Sequence, residues 1–248
     1  MHLIRSLNRL SRYWSPNRIT IPLLPTRPVG FPDPNQALDE PDGLLAAGGA
    51  LTPEWLVEAY ARGIFPWFGE EDEHIFWWSP SQRAVIEPGG MKVSRSLGKR
   101  IRNGGFEVTF DQDFQAVVIG CQQPRDASSG TWITDEMLHA YTQMHQAGLA
   151  HSVEVREGDA LVGGLYGISL GKFFFGESMF SRVRDASKVG FYHLNQYLKE
   201  LDFVLIDCQI QNPHLETLGV KEILRRDFLD LLAHNPLDET LQGNWQFP

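Results

Sequence analysis

HSVEVREGDALVGGLYGISLGKFFFGES, residues 151–178, reads as three strands joined by two tight turns. Ser152–Arg156 alternates apolar and polar residues, the period of a strand with one buried face. Glu157-Gly158-Asp159 supplies a turn, and two further strands follow near Ala160–Ile168 and Lys172–Glu177, around a second, glycine-containing turn. Together they predict an antiparallel meander. Working outward, Thr134 caps a helix running to Gly148, and a helix spans about Ser187–Leu201. Phe203–Ile210 is a short apolar strand ending in a polar cluster, and Asn212-Pro213 opens a short helix that Gly219 ends. Upstream, Thr52-Pro53-Glu54 opens another helix, with Thr as cap, Pro at the first position and an acid in the positive first turn; Gly63 closes it. Residues 16–53 are dense in Pro and Gly yet carry apolar residues throughout, so they are expected to be irregular but packed. A boundary near residue 80 separates a small N-terminal domain, 1–80, from an α+β domain, 81–248.

The chain has 248 residues, 42% hydrophobic and 21% charged, ordinary values for a protein that buries a core. No apolar run approaches the roughly 18 residues of a membrane helix. There are two cysteines, Cys121 and Cys208, and no CxxC pair, which argues against a disulfide framework or zinc ribbon and for a reducing cytosol. Eight His show no HExxH and no paired ligand spacing. GxSxG, GxxxxGK[ST] and GxGxxG are all absent, so no metal, ATP or dinucleotide cofactor is expected.

A net charge of −9 argues against a surface coated with phosphate-binding groups. A local patch remains open. Between Glu87 and Glu107 there is no acid, while Lys92, Arg95, Lys99, Arg100 and Arg102 are basic. Arg95, Lys99 and Arg102 fall at i, i+4 and i+7 on one helical face, either a solvated face or a seat for phosphates. The first residues, MHLIRSLNRLSRYWSPNR, carry four Arg and no acid; they read as a loosely ordered extension or a basic arm.

Three segments hold polar or aromatic groups that packing alone does not require. Glu177 ends the aromatic strand Phe173-Phe174-Phe175; it is either solvated there or buried against a cation or several donors. Asp207 and Gln209 lie two apart on a strand, so both are expected on one face, where an acid and an amide can orient an attacking amine. Cys208 would then face the core. Trp67, Trp77, Trp78, Trp132 and Tyr141 serve either as core or as stacking surfaces for an unpaired base.

GLLAAGGALTPEWLVEAYARGIFPWF (43–68), WWSPSQRAVI (77–86), GTWITDEM (130–137), HSVEV, LVGGLYGI, GESMFSRVRDASK (176–188) and LIDCQIQNPHLETLG (205–219) appear in that order. The set resembles the leucyl/phenylalanyl-tRNA–protein transferases over about residues 31–232. The resemblance implies a small N-terminal domain and an acetyltransferase-like, GNAT-type core. It also implies transfer of Leu or Phe, and possibly Met, from aminoacyl-tRNA to proteins or peptides beginning with Arg or Lys. That modification marks them for N-end rule degradation in the bacterial cytoplasm. A monomer without cofactor or membrane partner is expected. Residue by residue, Asp207 and Gln209 would be catalytic, Glu177 would meet the donor's α-ammonium, and Asn212 would stand near the acceptor. Met179, Leu165, Leu194, Leu198 and Ile206 would form the side-chain pocket. Two helix positions where the family pattern has Phe are Leu here, which leaves the ranking of Leu, Phe and Met open. Trp67, Trp132 and Tyr141 would hold the terminal adenosine, and Lys92, Arg95, Lys99, Arg100 and Arg102 the acceptor-stem phosphates.

Three rival readings weigh less. An acyl-CoA-dependent acyltransferase usually carries Q/R-x-x-G-x-G/A, which no position fits. A Fem-type transferase would need a duplicated core, too long for 248 residues. A non-catalytic tRNA binder would have no need of both Asp207 and Gln209.

Overall fold

The computed structural model describes residues 21–123 and 133–246. The Arg-rich arm and Trp132 lie outside the described residues. Strands β1 (Leu23–Leu24), β2 (Leu44–Gly48), β3 (Phe65–Pro66) and β4 (Phe76–Trp78) form a four-stranded sheet in the order β1-β2-β4-β3. Helix α1 (Pro53–Ala61) lies between β2 and β3, and Thr52 caps it by accepting the Trp55 N–H. Trp55, Trp77 and Phe31 meet within this unit, with ring centroids 4.8–6.1 Å apart.

A seven-stranded sheet carries the rest: β5 (Gln82–Ile86), β6 (Glu107–Phe110), β7 (Ala150–Glu157), β8 (Ala160–Leu170), β9 (Phe173–Ser181), β10 (Leu205–Gln209) and β11 (Lys221–Leu224), in the order β11-β5-β10-β9-β8-β7-β6. Strand β4 is the last of the first sheet and β5 the first of the second. The meander read from residues 151–178 is present, with β7, β8 and β9 pairing antiparallel. Unread in the sequence were β6 and helix α3 (Phe114–Gln122), and the parallel pairing of β10 with β9. Such a pair needs a long crossover, here helix α5 (Ala186–Glu200), and leaves no local turn signal.

Strand alternation splits the core in two. Tyr166, Phe173 and Phe175 face the small sheet, α1 and helix α4 (Asp135–Gln146), sharing one apolar cluster with Trp55, Tyr60 and Tyr141. Leu165, Phe174 and Ile206 face the other way, onto Leu194 and Leu198 of α5, Leu215 of helix α6 (Pro213–Leu218), and Trp245. Helices α2 (Arg95–Asn103) and α7 (Arg225–Leu232) complete the fold, which is α+β. Among the described residues no helix is long and apolar enough to cross a membrane.

Candidate active site

Parallel pairing of β9 with β10 ends at Phe175 and Asp207. Just beyond, both strands are irregular. On β9, Tyr166 pairs with Ser178 and Gly167 with Gly176, so Glu177 has no residue opposite it. On β10, Asp207 pairs with Val85 and Gln209 with Ala84, so Cys208 is the extra residue. Gln209 takes a left-handed backbone, φ 59°, which non-glycine residues seldom adopt. Two adjacent bulges let the strands part and re-aim their side chains.

A cavity of about 490 Å³ opens at this gap. Gly176–Met179 line it from β9 and Cys208–Asn212 from the end of β10 onward. On one side of the sheet its wall is apolar, built from Leu165, Phe174, Met179, Phe191, Leu194 and Leu215; on the other stand Phe65, Pro66 and Trp67. The size suits one small ligand or the end of a larger one.

Glu177 sits at the gap, 9% exposed. Its Oε1 accepts from Tyr60 Oη at 2.7 Å and Gln209 Nε2 at 2.8 Å, and its Oε2 from Tyr141 Oη at 2.7 Å. Burial pushes its carboxyl up to about 7 against the pull of these donors, with Asp207's charge adding to the rise. Burial likewise holds the hydroxyls of Tyr60 and Tyr141 well above their ordinary value, so both remain neutral.

Asp207 is placed otherwise. It is fully buried and absent from the cavity wall. Arg83, itself 1% exposed, donates from Nε at 2.8 and 3.0 Å and from Nη2 at 2.6 Å, and the Gln209 N–H adds 2.8 Å. Arg83 Nη1 donates to the Gly63 carbonyl at 3.0 Å, and its guanidinium lies 4.8 Å and 4.6 Å from the Phe65 and Phe228 ring centroids. The expectation that Asp207 and Gln209 share one face is corrected here: the Cys208 bulge breaks the two-residue period, and only Gln209 reaches the cavity. Cys208, half-buried, packs against the apolar cluster of Leu194, Leu198 and Ile206 as expected, and also lines the cavity wall, with its thiol raised by burial.

Of the expected pocket residues, Met179, Leu165 and Leu194 line the cavity, while Leu198 and Ile206 lie one layer behind, fully buried. Asn212 lines it from an exposed position and caps α6 by accepting the Leu215 N–H at 3.0 Å. Trp67 is on the wall. Tyr141 is not; fully buried beneath Glu177, it has no ring face to offer a base. Arg95, Lys99 and Arg102 are exposed on α2 and Lys92 just before it, whereas Arg100 stacks on Phe106 at 4.1 Å and approaches Glu157 at 3.8 Å. None of the five lines this cavity; Lys99 and Arg100 border a second hollow with Arg184. Among the described residues no group of His, Cys, Asp and Glu is placed to hold a metal ion.

Sequence reasoning missed Arg83, Tyr60, Phe174, Phe191 and Leu215. For Arg83 a signal existed: Gln82–Ile86 and Leu205–Gln209 are apolar strands with one opposite charge each, and such charges are buried in pairs.

Residues 85–233 match the model for the leucyl/phenylalanyl-tRNA protein transferase, and residues 49–81 the model for its N-terminal domain. The Pseudomonas putida (strain W619) leucyl/phenylalanyl-tRNA–protein transferase is 53% identical over 216 residues, 87% of this chain and 95% of that protein. This chain belongs to that family. Its member from Cellvibrio japonicus is 55% identical, covering 86% of this chain and 91% of the other. Among solved structures, L-PGS from Bacillus licheniformis is similar at a TM-score of 0.39 and 12% identity, over 69% of this chain and 57% of that one.

Proposed function

We propose that the chain transfers Leu or Phe from aminoacyl-tRNA to proteins whose N-terminus is Arg or Lys. The observation that carries this reading is a cavity with an apolar wall, an aromatic wall, and between them a buried carboxylate served only by neutral donors. An aminoacyl ester has the matching parts: an apolar side chain, an adenosine, and an α-ammonium beside the reacting carbonyl.

The side chain enters among Leu165, Met179, Phe191 and Leu194, the adenosine lies toward Trp67, and Glu177 receives the α-ammonium. Gln209 orients the attacking amine, its own amide fixed by Glu177 and its backbone by Asp207. Asp207 is a positioning residue, because Arg83 occupies its oxygens. The acceptor's neutral α-amine forms the new C–N bond, the ester C–O bond breaks, and the proton lost by the amine ends on the leaving ribose oxygen. The ester is already activated, so no nucleotide triphosphate enters the balance. Holding both reactants in register is the main catalytic device. Lys92, Arg95, Lys99 and Arg102 meet tRNA phosphates largely without sequence preference. The chain acts as a monomer in the bacterial cytoplasm, and its products carry an N-terminal residue read by the N-end rule pathway.

The test is a transfer assay with radiolabelled Leu-tRNA or Phe-tRNA and a peptide beginning with Arg. Label reaching the peptide from wild type, and falling at least 10-fold with Gln209→Ala, fits the reading. Label that stays on the tRNA would overturn it.

A further inference from the structure

Three oxygen-bearing groups close a ring at the polar end of the cavity. Tyr60 Oη lies 2.7 Å from Glu177 Oε1, Tyr141 Oη lies 2.7 Å from Glu177 Oε2, and the two hydroxyls stand 2.6 Å apart. Each contact has the length of an O–H···O hydrogen bond, and each needs one proton. The two tyrosines carry one proton each. With Glu177 ionised, one of the three contacts brings lone pairs face to face. One more proton fills the ring: Glu177 Oε2–H donates to Tyr141, Tyr141 to Tyr60, and Tyr60 to Oε1, which also accepts from Gln209.

Among the described residues the side chains that hydrogen-bond to Glu177 are the two tyrosines and Gln209, all neutral, and His214 lines the same cavity from α6. Tyr166 approaches from β8 as a third neutral hydroxyl, and Cys208 on β10 remains a thiol. Asp207 is the nearest anion, and its partner is Arg83 on β5 rather than any group facing Glu177. From α1 and α4, Tyr60 and Tyr141 hydrogen-bond to Glu177. Burial works in the same direction, lifting the carboxyl to about 7.

We infer that this ring holds one proton in the empty site, and that seating a donor's α-ammonium before Glu177 expels it. The inference rests on the reading of Glu177 as the seat of that amine. A donor arriving as an ammonium leaves an ion pair and sends the carboxyl proton to solvent. A donor arriving as a free amine takes the proton itself. In both cases the charge and N–H donors of the ammonium stabilise the carboxylate in place of the expelled proton, and the donor's amine ends without a lone pair. The donor therefore cannot act as an acceptor, while an amine that does not reach Glu177 keeps its lone pair once deprotonated. The ring distinguishes two chemically similar amines.

The probe is an adenosine carrying phenylalanine through a stable 3′-amide, titrated calorimetrically in two buffers of different ionisation enthalpy. An α-amine has a pKa of about 7.7–8.0, so the ligand is an ammonium at pH 6. Wild type should release about one proton per ligand at pH 6, turning to net uptake by pH 8 as the empty site ionises and the free ligand loses its proton. Glu177→Gln should release none at pH 6. The 3-phenylpropionyl amide, which lacks the amine, should bind wild type with no release, a control that does not depend on how the variant folds. Tight binding of the phenylalanyl compound at pH 6 without proton release would sink the inference and leave the seat intact. Equal affinity for the compounds with and without the amine would sink both.

Discussion

Two carboxylates are buried side by side on the parallel strands β9 and β10, and they are treated in opposite ways. Asp207 has a guanidinium of its own, aligned on both oxygens and stacked between two aromatic rings. Among the described residues Glu177 has two hydroxyls and an amide as hydrogen-bond donors, and no cation is among the groups that shift its carboxyl. A charge buried with its partner inside the chain is complete, and breaking the pair costs more than forming it gains. A carboxyl buried with neutral donors alone is incomplete as an anion and pays desolvation whenever it ionises. The first arrangement belongs to the scaffold. The second lies on the cavity while the first does not, which is where the proposed donor ammonium would supply the missing charge.

The largest effect should come from breaking the complete pair. Arg83→Met leaves Asp207 buried without its partner, which costs about 3–5 kcal/mol of stability. In a chain of this size that lowers Tm by roughly 10 °C. Arg83→Met with Asp207→Leu should recover most of the loss, since apolar replacements of buried pairs are often near neutral. A loss below about 1 kcal/mol in thermal or urea unfolding would mean that Asp207 is neutral or solvated, and the contrast with Glu177 would fail.

Next in size is the pH dependence that Glu177 imposes. Its folded-state pKa, about 7, lies above the ordinary 4.5, so between those values the folded protein binds more protons than the unfolded chain. Stability from this group is therefore complete below about pH 4.5 and is lost as pH rises through about 7. The full swing is on the order of 3 kcal/mol. Glu177→Gln removes the swing, so the variant should gain on wild type in chemical denaturation from pH 5.5 to pH 8. A difference that does not change with pH would place an ionised Glu177 in the empty site.

How much of this was legible beforehand follows from the kind of signal each feature leaves. The β7–β8–β9 meander shows because alternation and turn glycines are local, and helices α1, α4 and α6 show because Thr52, Thr134 and Asn212 cap them from within their own segments. The seat of the site does not show, because it is made of register. Asp-Cys-Gln looks like plain alternation until strand β5 pairs across it and leaves Cys208 over. Tyr60 looks like one more apolar residue on α1, and only the packing of α1 and α4 against β9 turns its hydroxyl to Glu177. Leu198 and Ile206 were expected on the pocket wall from the family resemblance, and sequence spacing carries no depth; two residues on one helix face, Leu194 and Leu198, end in different layers.

The finest test concerns Gln209, which touches both carboxylates by different atoms. Its backbone N–H donates to Asp207 and its side-chain amide donates to Glu177. Gln209→Ala keeps the first contact and deletes the second. Stability should fall by only about 1 kcal/mol, the usual net worth of one hydrogen bond. The Glu177 carboxyl, losing a donor that favours its anion, should titrate at higher pH than in wild type. A ¹³C NMR titration of the Glu carboxyls, with Glu177→Gln to identify the resonance, reads the shift directly. The pairing of Asp207 with Arg83 should be untouched, so the cost of Arg83→Met should be the same in both backgrounds. An upward shift with no such coupling keeps the two carboxylates separate, one belonging to the scaffold and one to the ligand. Equal disturbance of both would mean that the amide holds the whole bulge of β10, and that the site is one unit after all.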